Sequence, residues 1–133
     1  MTINDQDVLT EVRAAVDRYE AALMANDLAA LDDFFWASEH TVRLGLAENL
    51  YGIEEIRRFR AGRSGGSPTR ERTRTHIVTF GRDMAVAHVE FLRHKPERRG
   101  RQTQTWLRTP AGWKVVSAHV SLLQDGTDHR AAP

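Results

Sequence analysis

The second half of the chain contains four long extended segments in succession, and this pattern constrains the fold more than any other feature. Strand-forming residues fill Arg70 to Phe80, Met84 to Arg93, Arg101 to Arg108 and Trp113 to Leu123. The stretches between them are short and rich in glycine, proline and charge, which predicts hairpin turns. Strands of about ten residues joined in this way form an antiparallel sheet that can twist and curl over a helix.

The first part of the chain is predicted to be helical. Apolar residues recur at the spacing of one helix face from Val8 to Leu23, and Asn4 and Asp5 are candidate caps for this helix. Asn26 suits a left-handed helix end, and Asp27 can cap a second, shorter helix. The second helix is expected to turn four apolar residues inward: Leu28, Leu31, Phe34 and Phe35.

A strand, a third helix and a loop are predicted between the second helix and the sheet. Thr41 to Leu44 is expected to be a short strand that ends at Gly45. The third helix is expected after Gly52, with acidic residues in its first turn and arginines in its last, an order that complements the helix dipole. The residues from Ser64 to Pro68 predict a flexible surface loop, and the sequence leaves open whether it closes over a pocket.

This order of elements resembles the cone-shaped NTF2-like fold. The fold class is α+β, with N-terminal helices packed on a curved antiparallel sheet that encloses a pocket. A length of 133 residues predicts one domain over residues 1–133, with a polar tail at 125–133 that is expected to fray. Because this fold hosts both enzymes and non-catalytic modules, it does not settle function.

Composition argues against several classes of protein. The chain has 19 basic and 18 acidic residues, a balance that disfavours a nucleic-acid or membrane-surface protein. It has no cysteine, which excludes thiolate catalysis and cysteine-ligated metals. The histidines lack the spacing of a metal site, and no motif for a cofactor is present, so neither is expected. The polar N-terminus and the lack of a long apolar run predict a cytoplasmic protein.

The turn from Thr109 to Gly112 predicts how the last two strands pair. If Arg108 lies opposite Trp113, alternation puts Gln104, Trp106 and His119 on one face of the sheet. This polar and aromatic face is expected to be a pocket wall, with Gln104 and His119 as hydrogen-bonding groups. The other face would be aliphatic and serve as a core or dimer face, although the sequence leaves the reverse assignment open. Its aliphatic residues would be Val116, Ala118, Val120 and Leu122.

Tyr19 and Arg43 are the candidate catalytic residues. Tyr19 lies in the apolar stripe of the first helix, so its buried hydroxyl needs a partner or serves as a proton donor at the pocket roof. Arg43 alternates with Val42 and Leu44 and offers a guanidinium fork suited to a carboxylate. Arg70 and Arg74 belong to an arginine stripe that is either solvent-facing or reaches the pocket rim. Each of these residues also has an ordinary structural explanation.

Six segments resemble the AtzH-like family of the NTF2-like superfamily. They are Thr41-Val42-Arg43, Glu48-Asn49-Leu50-Tyr51-Gly52-Ile53-Glu54-Glu55-Ile56, Phe59-Arg60, Thr79-Phe80-Gly81-Arg82-Asp83, Gly100-Arg101-Gln102-Thr103-Gln104-Thr105-Trp106 and Gly112-Trp113-Lys114-Val115-Val116-Ser117-Ala118-His119-Val120-Ser121-Leu122. The resemblance extends from about Val8 to Leu123. It implies a role beside amidases in the breakdown of cyanuric acid (an s-triazine) or of oxalurate, and it places the important tyrosine and arginine at Tyr19 and Arg43.

The resemblance implies a specific reaction. It is the decarboxylation of 1,3-dicarboxyurea to urea-1-carboxylate (allophanate) by a decarboxylating amidohydrolase without a cofactor. In this hypothesis Arg43 holds a carboxylate with help from Arg70 or Arg74, Tyr19 protonates the departing nitrogen, and Gln104 and His119 orient the urea carbonyl.

Other functions and several partners remain open. An oxalurate-pathway relative and a non-catalytic accessory subunit of an amidase are the alternatives, and an isomerase or dehydratase that uses Glu90 as a base is a weaker one. The expected partners are a small anionic carboxylated urea, a pathway amidase and a second copy of the chain. The two copies are expected to form a dimer through their sheet faces, and two dimers to form a tetramer.

Overall fold

The computed structural model describes residues 1–124, and within this range the chain forms three helices and six strands. The helices are α1 (Gln6–Ala25), α2 (Leu28–Phe34) and α3 (Ile53–Gly62). The strands are β1 (Val42–Leu44), β2 (Asn49–Tyr51), β3 (Arg70–Phe80), β4 (Met84–His94), β5 (Glu97–Thr109) and β6 (Gly112–Leu122). The tail predicted at 125–133 lies outside the described residues.

The helix ends follow the predicted caps. Asp5 caps α1 and accepts hydrogen bonds from the backbone N–H groups of Asp7 and Val8. Asn26 ends α1 in the left-handed conformation, with φ 52° and ψ 42°. Asp27 caps α2 by accepting from the N–H of Ala30. These short polar side chains satisfy backbone groups that a helix end would otherwise leave unpaired.

The six strands form one sheet in the order β2-β1-β6-β5-β4-β3. The strands from β3 to β6 are antiparallel neighbours, as the sequence predicted, while β1 runs parallel to β6. β2 was not predicted, and the turn between β4 and β5 is tighter than expected because β5 begins at Glu97. Helices packed on one side of a curved, open sheet confirm the predicted α+β cone.

The sheet has an inner face, which packs against the helices, and an outer face on the opposite side. The inner face and the helices share the core, which is apolar and aromatic. Its buried members include Val8, Val12, Val16, Tyr19, Leu31, Phe35, Ile56, Ile77, Ala87, Trp106, Val115 and Ala118. The core therefore lies between α1 and the sheet, and it fixes the rings of α1 and α2 against the centre of β5.

Two irregularities in strand pairing decide which side chains reach the inner face. One lies between Thr105 and Trp106, where β5 and β6 shift register opposite Val116. The other lies between Arg72 and Arg74, where β3 shifts relative to β4. A single extra residue in a strand reverses the alternation of side chains beyond it. Both irregularities therefore change predictions made from strict alternation.

Among residues 1–124, no helix is long and apolar enough to cross a membrane.

Candidate active site

A cavity of about 50 Å³ lies between the helices and the inner face and is lined by a concentration of arginines. Arg43, Arg63, Arg70 and Arg93 all line it. Its other lining residues are Tyr19, Leu23, Leu46, Glu48, Ser67, Pro68, Gln102 and Val120. We refer to this space as the arginine cavity. It brings together three of the residues predicted from the sequence, Tyr19, Arg43 and Arg70.

Arg43 is held by the turn that joins β1 to β2. Its Nη1 donates to Glu48 Oε1 at 2.9 Å, and both side chains are largely buried. Gly45 permits this approach, because a Cβ at that position would overlap the Glu48 carboxylate and lie 3.0 Å from Arg43 Nη1. The Nε of Arg43 is buried and has no hydrogen-bond partner within residues 1–124. The turn thus neutralises Arg43 and still leaves its Nε donor without a partner among residues 1–124.

Arg70 is neutralised from α1. Its Nε and Nη2 donate to the two carboxylate oxygens of Glu20 at 2.9 and 2.7 Å, a bidentate pair. Nη2 also donates to Oε1 of Gln102 at 2.9 Å. The side chains of Arg70 and Glu20 are only 6% and 12% exposed, so this pair tightly links β3 to the first helix.

Arg63 and Arg93 line the same cavity without a carboxylate partner among the described residues. Arg63 follows the end of α3 and donates to the Ser67 hydroxyl at 3.0 Å. Burial lowers the pKa of Arg63 below its ordinary value, and the charge on Arg43 lowers it further. Burial also lowers the pKa of Arg93, followed by the charges on Arg63 and Arg70. The cavity is therefore a site of uncompensated positive charge.

Tyr19 provides the phenol of the cavity. Its ring is 2% exposed and makes edge contacts with the rings of Phe34, Phe35 and Trp106, with centroids 5.8, 6.2 and 6.3 Å apart. These rings fix its position, because edge-to-face contacts favour one relative orientation. Its hydroxyl makes no hydrogen bond to any other residue in the range 1–124, so it remains available to a molecule in the cavity.

The loop over residues 64–68 forms part of the cavity wall. Ser67 and Pro68 both line the arginine cavity. Gly66, with φ +67°, packs so closely on Asn26 that a Cβ would overlap the asparagine side chain. The loop expected to be a surface feature thus joins the C-terminal end of α1 to the site.

Gln104 and Trp106 lie on the inner face but do not line the cavity. Both side chains are almost completely buried, and Trp106 Nε1 donates to Gln104 Oε1 at 3.0 Å. This hydrogen bond satisfies the indole within the core. Gln102, two residues earlier on the same face, lines the cavity instead and accepts from Arg70.

The predicted position of His119 on the pocket face is wrong. Strict alternation predicted that His119 lies opposite Gln102. The register shift at Val116 instead places His119 opposite Thr103, and Ala118 lies opposite Gln104. His119 is exposed on the outer face, while Ala118 and Val120 are buried on the inner face. The aliphatic residues of β6 therefore do not form an exposed dimer face, because Ala118, Val120 and Leu122 lie on the inner side of the sheet.

The prediction that Arg74 continues one stripe with Arg70 is also wrong. The irregularity after Arg72 turns Arg74 to the outer face, opposite Glu90, and leaves Arg70 on the inner face opposite Arg93. Arg72 stays on the inner side and donates to Asp17 of α1 at 3.0 Å. Arg74 and Glu90 instead line a separate outer cavity of about 430 Å³.

Sequence reasoning missed Arg63 and Arg93 as site residues. Arg63 follows a helix whose arginines have a sufficient structural explanation, and Arg93 ends a strand in a chain with many arginines. Neither residue has a local signal that separates it from its neighbours. Among the side chains of residues 1–124, no group of three or more histidines, cysteines or acids could hold a metal ion.

Three helices on a curved, open sheet with an internal cavity give the chain an NTF2-like fold. The chain belongs to the AtzH-like family, whose model matches residues 1–126. No curated protein matches it. The resemblance inferred from the sequence motifs is thereby confirmed.

Solved structures agree with this assignment. A protein of unknown function from Pectobacterium atrosepticum is 53% identical, with a TM-score of 0.89 over 92% of this chain and 95% of that one. A cystatin-like fold protein from Burkholderia xenovorans is 44% identical, with a TM-score of 0.88 over 92% and 97% of the two chains. An NTF2-like superfamily protein from Salmonella enterica serovar Typhimurium is 21% identical, with a TM-score of 0.75 over 95% and 98%, and shows the fold alone.

Proposed function

We propose that this chain is a decarboxylating amidohydrolase that needs no cofactor and converts 1,3-dicarboxyurea to urea-1-carboxylate in cyanuric acid catabolism. The observation that supports it best is the arginine cavity itself. Tyr19 and Arg43 line one small cavity together with three more arginines. A buried cationic cavity favours a small molecule with more than one negative charge, and a dicarboxylated urea has two.

The proposed chemistry requires one proton and no redox step. The bond between the urea nitrogen and one carboxylate carbon breaks, and its electron pair stays on the nitrogen. The carboxylate charge becomes the second C=O bond of carbon dioxide. Tyr19 gives its hydroxyl proton to the nitrogen, and water restores that proton afterwards. The tyrosinate formed meanwhile is stabilised by the guanidinium groups that share its cavity.

The residues that assist Tyr19 differ from those expected from sequence. Gln102 lines the cavity, while Gln104 is engaged with Trp106 and His119 lies on the outer face, so we assign the urea-facing amide to Gln102. Arg43 stabilises the tyrosinate with the guanidinium nitrogens that Glu48 does not occupy. Arg70 keeps a supporting role, because Glu20 and Gln102 already accept from it.

Release of carbon dioxide from enzymatically generated 1,3-dicarboxyurea tests this function. Wild type is compared with Tyr19→Phe and Arg43→Ala. Tyr51→Phe and Arg58→Ala serve as matched controls because both residues are exposed and lie outside the cavity. We expect release above the spontaneous rate in wild type and both controls, and a loss of at least about 100-fold in Tyr19→Phe, the typical size of a general-acid contribution.

The outcome also separates the alternatives. Unchanged turnover in Tyr19→Phe would refute the role of the phenol. Folded wild type without turnover, recovered with an amidase from cell extract, would favour the accessory subunit. Turnover in an oxalurate pathway but not of dicarboxyurea would move the chain to that branch.

An isomerase or dehydratase is disfavoured by the position of the acids. Such chemistry needs an unpaired carboxylate base in the pocket, and Glu90 lies on the outer face. Glu48 lines the cavity but is engaged by Arg43, and Glu20 is engaged by Arg70.

We extend the proposal to partners and location. A homodimer would form through the outer face, where Val78, Val86 and Leu107 remain partly exposed and Met84 is 39% exposed, and dimers would pair into a tetramer. A pathway amidase would take up the product, and the proposed compartment is the cytoplasm.

A further inference from the structure

The four arginines of the arginine cavity fall into two matched pairs around two phenylalanine rings. Arg43 and Arg63 lie over the Phe59 ring, 5.8 and 5.4 Å from its centroid. Arg70 and Arg93 lie over the Phe91 ring, 4.5 and 5.9 Å from its centroid. In each pair one arginine has a carboxylate partner, and the other has none among residues 1–124. The arginines with a carboxylate partner are Arg43, which forms an ion pair with Glu48, and Arg70, which forms one with Glu20.

This arrangement leaves the site with two surplus positive charges. The carboxylates of Glu48 and Glu20 balance two of the four guanidinium groups. Arg63 and Arg93 remain, and the Nε of Arg93 is buried without a hydrogen-bond partner. Both residues are partly buried at the cavity. Cations that line a cavity without a countercharge attract an anion, so these two arginines are suited to an anionic ligand.

The surroundings of both residues suit a ligand that arrives from outside. Arg63 is held only by the Ser67 hydroxyl and the Phe59 ring, which leaves its other nitrogens unused among residues 1–124. Arg93 and Pro68 also line a neighbouring cleft of about 700 Å³, so Arg93 stands at the boundary between that cleft and the arginine cavity. Because the cavity is small, a dianion can enter only if a lining side chain moves, and an arginine without an ion pair moves at the least cost.

We propose that Arg63 and Arg93 are the substrate-binding pair of the site and each hold one carboxylate of a small dicarboxylate dianion. This inference rests on the proposed function for the location of the site, and it assigns binding to residues other than Arg43 and Arg70. Those two arginines are neutralised within the chain and support the phenol and the cavity wall. The ligand class is a small dicarboxylate with one carboxylate for each of these two arginines.

Binding of glutarate tests the pair without any turnover. Glutarate is an unreactive dicarboxylate with the same three-atom spacer as 1,3-dicarboxyurea, and butyrate is its counterpart with one carboxylate. Calorimetric titration at low ionic strength compares wild type with Arg63→Gln and Arg93→Gln. Arg58→Gln and Arg101→Gln remove the same charge from exposed positions outside the cavity and serve as controls.

We expect wild type to bind glutarate more tightly than butyrate. Each cavity variant should weaken glutarate binding about 10- to 100-fold, the range for loss of a hydrogen bond to a charged group. The double variant should lose the preference over butyrate, and the controls should stay within about twofold of wild type. Both cavity variants should also keep or raise the thermal midpoint of the unliganded protein, because each removes a desolvated cation that repels its neighbours.

Two results would overturn the assignment. One is wild type that does not bind glutarate, or that binds it no more tightly than butyrate. The other is unchanged glutarate affinity in both cavity variants, or a lowered thermal midpoint in both, which would make the arginines structural. Arginine-dependent glutarate binding without release of carbon dioxide would support this pair and reject the decarboxylase, so the two proposals fail separately.

Discussion

The inner and outer faces of the sheet are built from the same four strands but have opposite chemistry. On the inner face, Trp106 and Gln104 are buried beneath α1 and α2, and Arg70 meets Glu20. On the outer face, one row of register partners crosses β3 to β6 and remains exposed. It consists of His76, His88, Thr103 and His119.

The difference between the faces comes from the helices. Where α1 covers the sheet, polar groups lose water and must find partners, so arginines and glutamines are fixed by specific hydrogen bonds. Where the sheet is open, polar groups keep their hydration and need no such partners. The histidines of the outer face are residue types that often act in catalysis, but here they stay hydrated. The inner face provides the buried environment in which charged groups interact strongly.

The largest difference between the faces should appear in core packing. Trp106→Ala removes a completely buried indole that contacts the rings of Tyr19 and Phe34. We expect it to lower the free energy of unfolding by about 3–5 kcal/mol, measured by urea denaturation. His88→Ala, at an exposed position of β4, should change it by less than about 0.5 kcal/mol. Similar losses in the two variants would contradict the division into a buried and a solvated face.

Breaking the ion pair on the inner face should have the next largest effect. Glu20→Gln leaves the Arg70 cation buried without its countercharge, and we expect a loss of about 3 kcal/mol in the free energy of unfolding, at the lower end for a broken buried pair because glutamine keeps one acceptor. Glu54→Gln is the control, because Glu54 is 79% exposed and lies 3.8 Å from Arg57. That change should cost less than about 0.5 kcal/mol in the same urea titration. Equal losses of unfolding free energy in Glu20→Gln and Glu54→Gln would mean that solvent screens the Glu20–Arg70 pair as strongly as the exposed Glu54–Arg57 pair.

A glycine on the inner face offers a smaller test of packing. A Cβ at Gly100 would overlap the Phe91 ring and lie 2.9 Å from Cδ2 of Leu122. We expect Gly100→Ala to destabilise the protein by about 1–3 kcal/mol through overpacking and to disturb Arg70 and Arg93 on the same ring. Gly62→Ala at the end of α3 meets no atom within 4 Å and should be neutral or slightly stabilising in thermal unfolding. A harmless Gly100→Ala would show that Phe91 can move freely.

The smallest effect should come from Glu11, an exposed residue in the N-terminal half of α1. Glu11 Oε1 accepts from Arg108 at 2.7 Å and from the Trp113 indole at 3.1 Å, and these bonds, with Arg108 first, lower the pKa of Glu11 below its ordinary value of 4.5. Because the folded-state pKa is lowered, the stabilisation is present above pH 4.5 and is lost as the pH falls through the lowered value.

The pH dependence of Glu11→Gln measures this contribution. Urea midpoints of wild type and variant should differ slightly at pH 7 and converge as the pH falls below 4.5, and an NMR titration of the Glu11 carboxyl should give a midpoint below that value. A pH-independent difference between wild type and variant would assign the effect to packing rather than to charge.

Much of the fold could be predicted because its signals are local. The apolar stripe of α1, the caps at Asp5 and Asp27 and the left-handed end at Asn26 each depend on residues within one or two helical turns. The turns between the long strands are equally local. Tyr19 was placed in the core for the same reason, since helical spacing puts it in the buried stripe.

The site was predicted only in part because its partners are distant in sequence. Arg70 and Glu20 are 50 residues apart, and no sequence pattern near either residue predicts their ion pair. Gln102 was recognised as a strand residue, but its contact with Arg70 depends on three strands and a helix meeting correctly.

The sequence by itself determined the three helices, all the strands but β2, their order, the α+β class and the family, because backbone preferences and side-chain periodicity act between near neighbours. The tertiary structure alone decided which residues face the cavity. Two one-residue irregularities, after Arg72 and at Val116, turned Arg74 and His119 outward. It also decided which arginines found a carboxylate, and so left Arg63 and Arg93 as the arginines of the site with no carboxylate partner among residues 1–124. Charge compensation is set by distance in space, and that distance exists only after the chain has folded.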